Sequence, residues 1–406
     1  MTADRKPRPA WAVRLQAERR KRLWSQKHVA ARIRDAADPG LRATLPEIES
    51  LVRAIRRYEA GTHRPDDPYP ALLSRVFGID EVELFADAPQ PATPVQPPPD
   101  LMEQVASVTG RRVGDGIVTD LSARVHGLRL ADDVLAGGDL VEPAFRELAT
   151  ARRIYRGSVH TERVGRRILG IVGECAQIAG WIASDAGQPG RAEQTYRLGI
   201  EAAREAGDRV LEGNLLGSLA YQVSNLGDPR DGVRLARAAL EATGPDAPPR
   251  ARALSWDRVA WANARAGEAQ ATMRALGEAS DALAGGARDD DPGYLYWVTA
   301  GELQVMEARA YTELRRPLRA IPILVDVLSR YEATHARELA LYLSWLAVAL
   351  IDANEPEEAA AVAARMLELS ADVASDRTSR RASVVLGRLE PFRDVPQVRD
   401  VLASHA

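Results

Sequence analysis

Arg53, Arg56 and Arg57 stand close together in the chain, with Ser50 one helical turn earlier. A guanidinium can meet guanine bidentately at O6 and N7, or pair with a phosphate, so arginines gathered on one short element carry the chemistry of nucleic-acid recognition. They need a helix to aim them. Over residues 44–61, TLPEIESLVRAIRRYEAG, the apolar Ile48, Leu51, Val52, Ile55 and Tyr58 recur at three and four residues. Ser50, Arg53 and Arg57 then fall near the opposite pole, with Glu49 and Arg56 on a flank. Thr44 and Glu47 have the spacing of a capping box, Pro46 falls in the first turn, and Gly61 is placed to stop the helix. A solvated surface helix is the plain alternative, because basic amphipathic helices are common.

Charge distribution favours the first reading. The 406 residues carry 54 Lys or Arg and 57 Asp or Glu, a net charge of −3. Residues 1–64 hold 16 basic against 7 acidic residues, a net of +9, and the remainder hold 38 against 50, a net of −12. A basic head on an acidic body suits a segment that meets phosphate and a body that does not.

Other chemistries find little support. The six histidines (28, 63, 126, 160, 335 and 405) are scattered, and no HExxH, GxxxxGK[ST] or GxSxG sequence occurs. Ser218 and Ser344 have no local base. The run Asp289–Asp291 lacks the alternating ligands and terminal glutamate of a calcium loop. Cys175 is the single cysteine, which excludes an internal disulfide and a multi-cysteine zinc site. The expectation is a protein that is not an enzyme, with no cofactor and no metal. With no apolar stretch behind the charged N-terminus and none of membrane-spanning length, a cytoplasmic location without membrane contact is expected.

The elements that must position the arginines are short helices. Residues 10–23 read as a first helix, Ser25 as the N-cap of a second, and residues 38–43 as a loop around Pro39 and Gly40. After Gly61, HRPDDPYP leads into helices over 70–77 and 81–85, making five helices in a head of residues 1–87. Prolines at 89, 91, 94, 97, 98 and 99 make 88–100 a linker. Leu15 and Arg19, Ser25-Gln26, Val29-Ala30, Ile55, Tyr58-Glu59, Gly61, Pro65, Leu72-Leu73 and Gly78 together resemble the XRE (Cro/C1-type) helix-turn-helix. The resemblance implies that Ser25 and Gln26 meet the sugar-phosphate backbone of a double-stranded DNA operator. It implies that Ser50, Arg53, Arg56 and Arg57 read bases, that Glu59 is structural, and that the protein works as a homodimer. Two departures stand out: Tyr58 where the family usually has Trp, and a longer connection between the second and third helices.

Residues 101–406 repeat. Gly180, Ala220 and Ala260 are each followed seven residues on by a glycine (Gly187, Gly227, Gly267) and twelve on by a small residue (Ala192, Gly232, Thr272). The pattern continues at Ala308 with Ala320 and at Ala347 with Asn354 and Ala359, with steps of 40, 40, 48 and 39 residues. The longest step contains the loop GGARDDDPG. A further pair is expected around 128–155. This body resembles the tetratricopeptide repeat, whose paired helices stack into a solenoid with a concave groove. By that resemblance the residue after each anchor lines the groove: Trp181, Tyr221, Trp261, Arg309 and Val348. Gln177, Asn214, Ser224, Asn225 and Arg265 are the polar neighbours expected to hold an extended peptide or protein ligand. Aromatics at this spacing also commonly pack between helices.

The expected fold is therefore all-α: a helix-turn-helix head, a proline-rich linker and a helical solenoid. The expected function is a DNA-binding transcriptional regulator governed by a peptide or protein partner. The alternative is an interaction scaffold whose head does not bind DNA.

Overall fold

The computed structural model describes residues 8–22, 24–86, 110–135, 137–286, 288, 290–330, 336–370 and 375–405. The chain divides into two compact units, residues 1–100 and 101–406, and both are built from helices. The proline-rich stretch 88–100 lies outside the described residues, as does Asp289 of the acidic run.

In the first unit the helices are α1 (Ala10–Lys21), α2 (Gln26–Ala36), α3 (Pro39–Thr44), α4 (Ile48–Glu59), α5 (Tyr69–Phe77) and α6 (Glu81–Leu84). Ser25 caps α2 by accepting the His28 backbone N–H at 3.1 Å. The stretch 38–43, expected as a loop, is instead largely the helix α3, with Pro39 at its first position. The capping box also fails to form. Thr44 belongs to α3 and donates its hydroxyl to the Leu41 carbonyl at 2.8 Å, so it is not available to α4, whose N-cap is Glu47 with no side-chain bond. The longer connection between the second and third expected helices is thus partly an additional helix. Trp11, Leu15, Val29, Ile33, Leu51, Ile55, Tyr58, Leu72, Leu73 and Phe77 form one core.

The second unit is a series of antiparallel helix pairs. They are α7 (Asp115–Val134) with α8 (Gly137–Gly157), α9 (Glu162–Asp185) with α10 (Pro189–Ala206), and α11 (Arg209–Leu226) with α12 (Pro229–Thr243). Next come α13 (Pro249–Arg265) with α14 (Ala269–Ala284), α15 (Ala300–Glu313) with α16 (Pro317–Arg330), and α17 (Ala336–Asp352) with α18 (Pro356–Ser370). A last pair, α19 (Asp376–Leu389) and α20 (Pro396–Ala403), was not foreseen. The anchors lie where two helices touch: Ala220, Ala260, Ala308, Ala320, Ala347 and Ala359 are completely buried. A Cβ built on Gly180 would stand 2.5 Å from the ring of the buried Tyr196. Seven residues after an anchor the chain turns with positive φ, at Gly187 (76°), Gly267 (77°), Arg315 (53°) and Asn354 (63°). Gly227 turns with φ −119° instead.

Between α14 and α15 the chain folds inward. Tyr294, Leu295 and Val298 are buried against Leu211, Leu215 and Leu254 of α11 and α13.

Candidate functional site

Two regions gather the residues singled out from the sequence. In the first unit, α4 buries Leu51, Ile55 and Tyr58 and leaves Arg53, Arg56 and Arg57 exposed. Arg53 donates to the Ser50 hydroxyl, one turn away, at 3.0 Å. Arg56 donates from Nε to Gln26 Oε1 at 3.0 Å, and Gln26 donates from Nε2 to Glu59 Oε2 at 2.9 Å. Glu59, only 3 % exposed, takes both Nε and a terminal nitrogen of Arg19, at 2.5 and 2.9 Å. A chain of polar contacts therefore runs from Arg19 through Glu59 and Gln26 to the exposed Arg56. It clamps α1, the first turn of α2 and α4 together and sets the exposed Arg56 beside Gln26. Bidentate pairing to a buried carboxylate fixes orientation as well as energy. Beside this region Arg32 stacks over Trp24 at 4.2 Å, and His28 lies parallel to the same ring at 5.5 Å. Neither contact was anticipated, because the three residues lie off the face that the apolar period defines.

In the second unit Trp181, Tyr221 and Trp261 form a continuous column, with ring centres 5.8 and 5.9 Å apart. Trp345 extends it, edge-on to Trp261 at 5.7 Å. Val348, expected to follow in the series, is buried in the core; Trp345, one turn earlier on α17, takes the place in the column. Trp261 is 4 % exposed, while Trp181 and Tyr221 are half-buried. Guanidinium groups line the column. Arg258 lies 5.0 Å from Tyr221, Arg377 lies 5.2 Å from Trp181, and Arg309 lies 4.7 Å from Trp261. Arg309 also donates to the Tyr221 hydroxyl at 2.6 Å. Burial pushes the Tyr221 phenol up, yet Arg309, Arg377 and Arg258 outweigh it and hold the group below its ordinary pKa. The column is therefore a region of positive potential.

The expected polar neighbours are engaged within the fold. Gln177 accepts from Arg129 at 2.7 Å and donates to Ser218 at 3.3 Å. Asn225 accepts the Trp261 indole N–H at 3.2 Å and donates to its own helix at Tyr221. Arg265 donates to the Ser224 carbonyl at 3.2 Å and pairs with Glu313. Asn214 faces the inward segment at Leu295, away from the column. A rule of one residue per repeat does not reach Arg258, Arg377 or Trp345. Arg258 and Trp345 both stand two residues before their anchors, a register the spacing itself contains.

A second polar cluster ties distant helices together. Arg337 of α17 donates to Asp132 and to the Leu135 carbonyl (3.2 Å), and it lies 3.4 Å from both Asp132 and Asp185 carboxylates. Asp185 also accepts from Ser375 at 3.0 Å and pairs with Arg377 at 3.2 Å. Tyr296 reaches Asp133 at 2.5 Å. Helices at opposite ends of the repeat series thus meet, and Arg377 links that junction to the aromatic column.

Among the described residues no group of three or more His, Cys, Asp or Glu side chains is placed to hold a metal, and no helix is long and apolar enough to cross a membrane. Burial pushes the Cys175 thiol far up, which leaves it no nucleophilic character near neutral pH. Compared with protein-family models and with curated proteins, the chain matches none.

Proposed function

We propose that this protein is a sequence-specific, DNA-binding transcriptional regulator whose helical-repeat body binds a peptide or protein partner. The observation that carries the reading is the two-sided character of α4: Leu51, Ile55 and Tyr58 buried, Arg53, Arg56 and Arg57 exposed. In this reading the head is an XRE-type helix-turn-helix. Its α4 enters the major groove of double-stranded DNA, Ser25 and Gln26 at the start of α2 meet the backbone, and two heads of a homodimer address two half-sites. The body is a tetratricopeptide-like solenoid, a reading supported by small buried anchors in the five helix pairs between residues 162 and 370 and by the recurrent turn register. The protein acts in the cytoplasm, on the nucleoid. A partner that prefers one arrangement of the body shifts dimerisation or DNA binding by its differential affinity alone.

One observation favours a second reading, a scaffold whose head does not bind DNA. The helix α3 stands between α2 and α4, where the XRE resemblance implies a tight turn. The two readings separate on the Arg53→Ala/Arg57→Ala double variant. Recovery of crosslinked DNA from cells should yield discrete peaks sharing a motif for the wild type and none for the variant. Absence of peaks for both, with partners still recovered on the body, selects the scaffold.

A further inference from the structure

The body is acidic, yet one end of it is not. Residues 146–167 carry seven arginines against Glu147 and Glu162, a net of +5, inside a stretch 65–406 whose net is −12. The chain enters the body along 110–113, where the Gly110 N–H donates to the Gly157 carbonyl at 2.7 Å and the Val113 N–H to the Val159 carbonyl at 3.0 Å. Arg111 and Arg112 therefore stand beside the C-terminus of α8. Asp115, the first residue of α7, pairs with Arg163 (2.6 Å) and with Arg167 at the start of α9. The start of α7, the end of α8 and the start of α9 thus meet at one end of the body.

Little of this charge is neutralised. Arg146, Arg153 and Arg156 are exposed and recur along one face of α8, a stripe about 15 Å long. Among the described residues Arg111, Arg112, Arg146 and Arg156 have no carboxylate within ion-pair distance. Arg163 and Arg167 share the single carboxylate of Asp115. Arg166 pairs with Glu162, but the two are 61 % and 78 % exposed, and a surface pair of that kind contributes about 1 kcal/mol or less. A polyanion can displace it. The ring at this end, Tyr155, is engaged, stacked on His160 at 5.3 Å and donating to Glu205 at 2.6 Å, so it offers no platform for unpaired bases. Val159 is the exposed aliphatic side chain between α8 and α9, too little apolar surface to seat this end in a bilayer. What remains is a field of guanidinium groups, which suits the phosphate backbone of a duplex. Residues 87–109 join this end to the head, and 23 residues span up to about 80 Å, so a duplex held by the head is within reach.

We propose that the arginine end of the body, with Arg111, Arg112, Arg146, Arg153, Arg156 and Arg166, is a second contact surface for double-stranded DNA, one that holds phosphates and reads no bases. The inference rests on the reading that the head binds DNA, which brings the duplex to this surface. Contacts of this kind add affinity and salt dependence, and they leave sequence preference to the head.

The test uses the full chain and a labelled random-sequence duplex of about 40 base pairs, with binding read by fluorescence anisotropy between about 50 and 200 mM salt. The body variant is Arg111→Gln/Arg112→Gln/Arg156→Gln. Its control, Arg230→Gln/Arg237→Gln/Arg274→Gln, removes the same charge from exposed positions on α12 and α14. The head variant is Arg53→Ala/Arg57→Ala. The body variant should bind tenfold or more weakly at the lower salt, and its slope of log affinity against log salt should fall by about 2–3, because each phosphate contact contributes about 0.9. The control should stay within about twofold of the wild type, and lysine at the three body positions should restore most of the binding, since phosphate accepts a point charge. Should the body variant lose helicity, Arg111→Gln/Arg112→Gln alone carries the test, with a fall in slope of about 2. A body variant that matches the control overturns the second surface, and loss in the head variant then leaves the head reading standing. Loss in the body variant with none in the head variant supports the surface and counts against the head. Binding of phosphatidylserine vesicles that depends on these arginines, with no effect on the duplex, makes the surface a membrane contact and overturns the assignment to DNA. No binding of the duplex by the wild type overturns both.

Discussion

At the scale of single residues, the head depends on Glu59 more than on any of the exposed arginines. It holds Arg19 bidentately and also takes Gln26, whose other end holds Arg56. Glu59→Ala would leave the Arg19 guanidinium, 15 % exposed, without its carboxylate. Removing one partner of a buried pair costs about 3–5 kcal/mol, and the partial exposure of Arg19 lowers this to roughly 2–3 kcal/mol. Urea unfolding of the head should show that loss, whereas Arg56→Ala should change stability by under about 0.5 kcal/mol. In the body, Glu302 titrates away from its usual range. Burial raises its pKa to about 7, against the Tyr342 hydrogen bond and with help from Glu338; Arg309 opposes the rise and Asp257 adds to it. Its folded pKa lies above the unfolded one, so its contribution is complete at low pH. That contribution is lost as pH rises from about 4.5 to about 7. At about 1.4 kcal/mol per pKa unit this is on the order of 3 kcal/mol, and Glu302→Gln should flatten the stability profile across that window.

At the scale of elements, the helix pairs were legible because packing forces a register on the chain. A small residue where two helices cross, a left-handed turn seven residues on and a small residue twelve on mark successive pairs. Proline adds a further mark: nine residues after an anchor, Pro189, Pro229, Pro317 and Pro356 open the second helix of their pairs. The turn at Arg315 shows why glycine alone was an incomplete guide, since the hairpin imposes φ 53° on a residue that disfavours it. What stayed hidden was competition between neighbours. Thr44 and Glu47 carry a capping signature, but Leu41 is close enough in sequence for the Thr44 hydroxyl to serve α3 instead. The site was half legible for a related reason: the column follows one residue per repeat only until α17, where Trp345 replaces it from the turn below. The close crossing at Gly180 offers the direct check. Gly180→Ala drives a methyl into the Tyr196 ring and should cost about 1–3 kcal/mol. Gly190→Ala, where a Cβ meets nothing within 4 Å, should be neutral or slightly stabilising, both variants being read by the thermal midpoint of unfolding.

At the scale of the body, the junction of α7, α9, α17 and α19 turns a linear repeat into a closed one. Nearest-neighbour stacking alone would let the two ends move independently. Arg337 prevents this, since it is 8 % exposed and spans more than two hundred residues of sequence to Asp132, and Asp185 joins it to Arg377 and Ser375. Closure sets how the aromatic column is presented, because Arg377 belongs both to the junction and to the face of Trp181. Asp185→Ala leaves Arg377, 28 % exposed, without its carboxylate and Arg337 with Asp132 alone, and should destabilise the body by about 2–3 kcal/mol. The more telling readout is where protection is lost. Amide exchange should accelerate first in 115–134 and 336–352 while the central pairs α11 to α14 stay protected, because local opening follows the weakest junction. If α7 kept its protection in this variant, the inward segment at Tyr294, Leu295 and Val298 would be the element that holds the coil closed. The charged junction would then only orient Arg377.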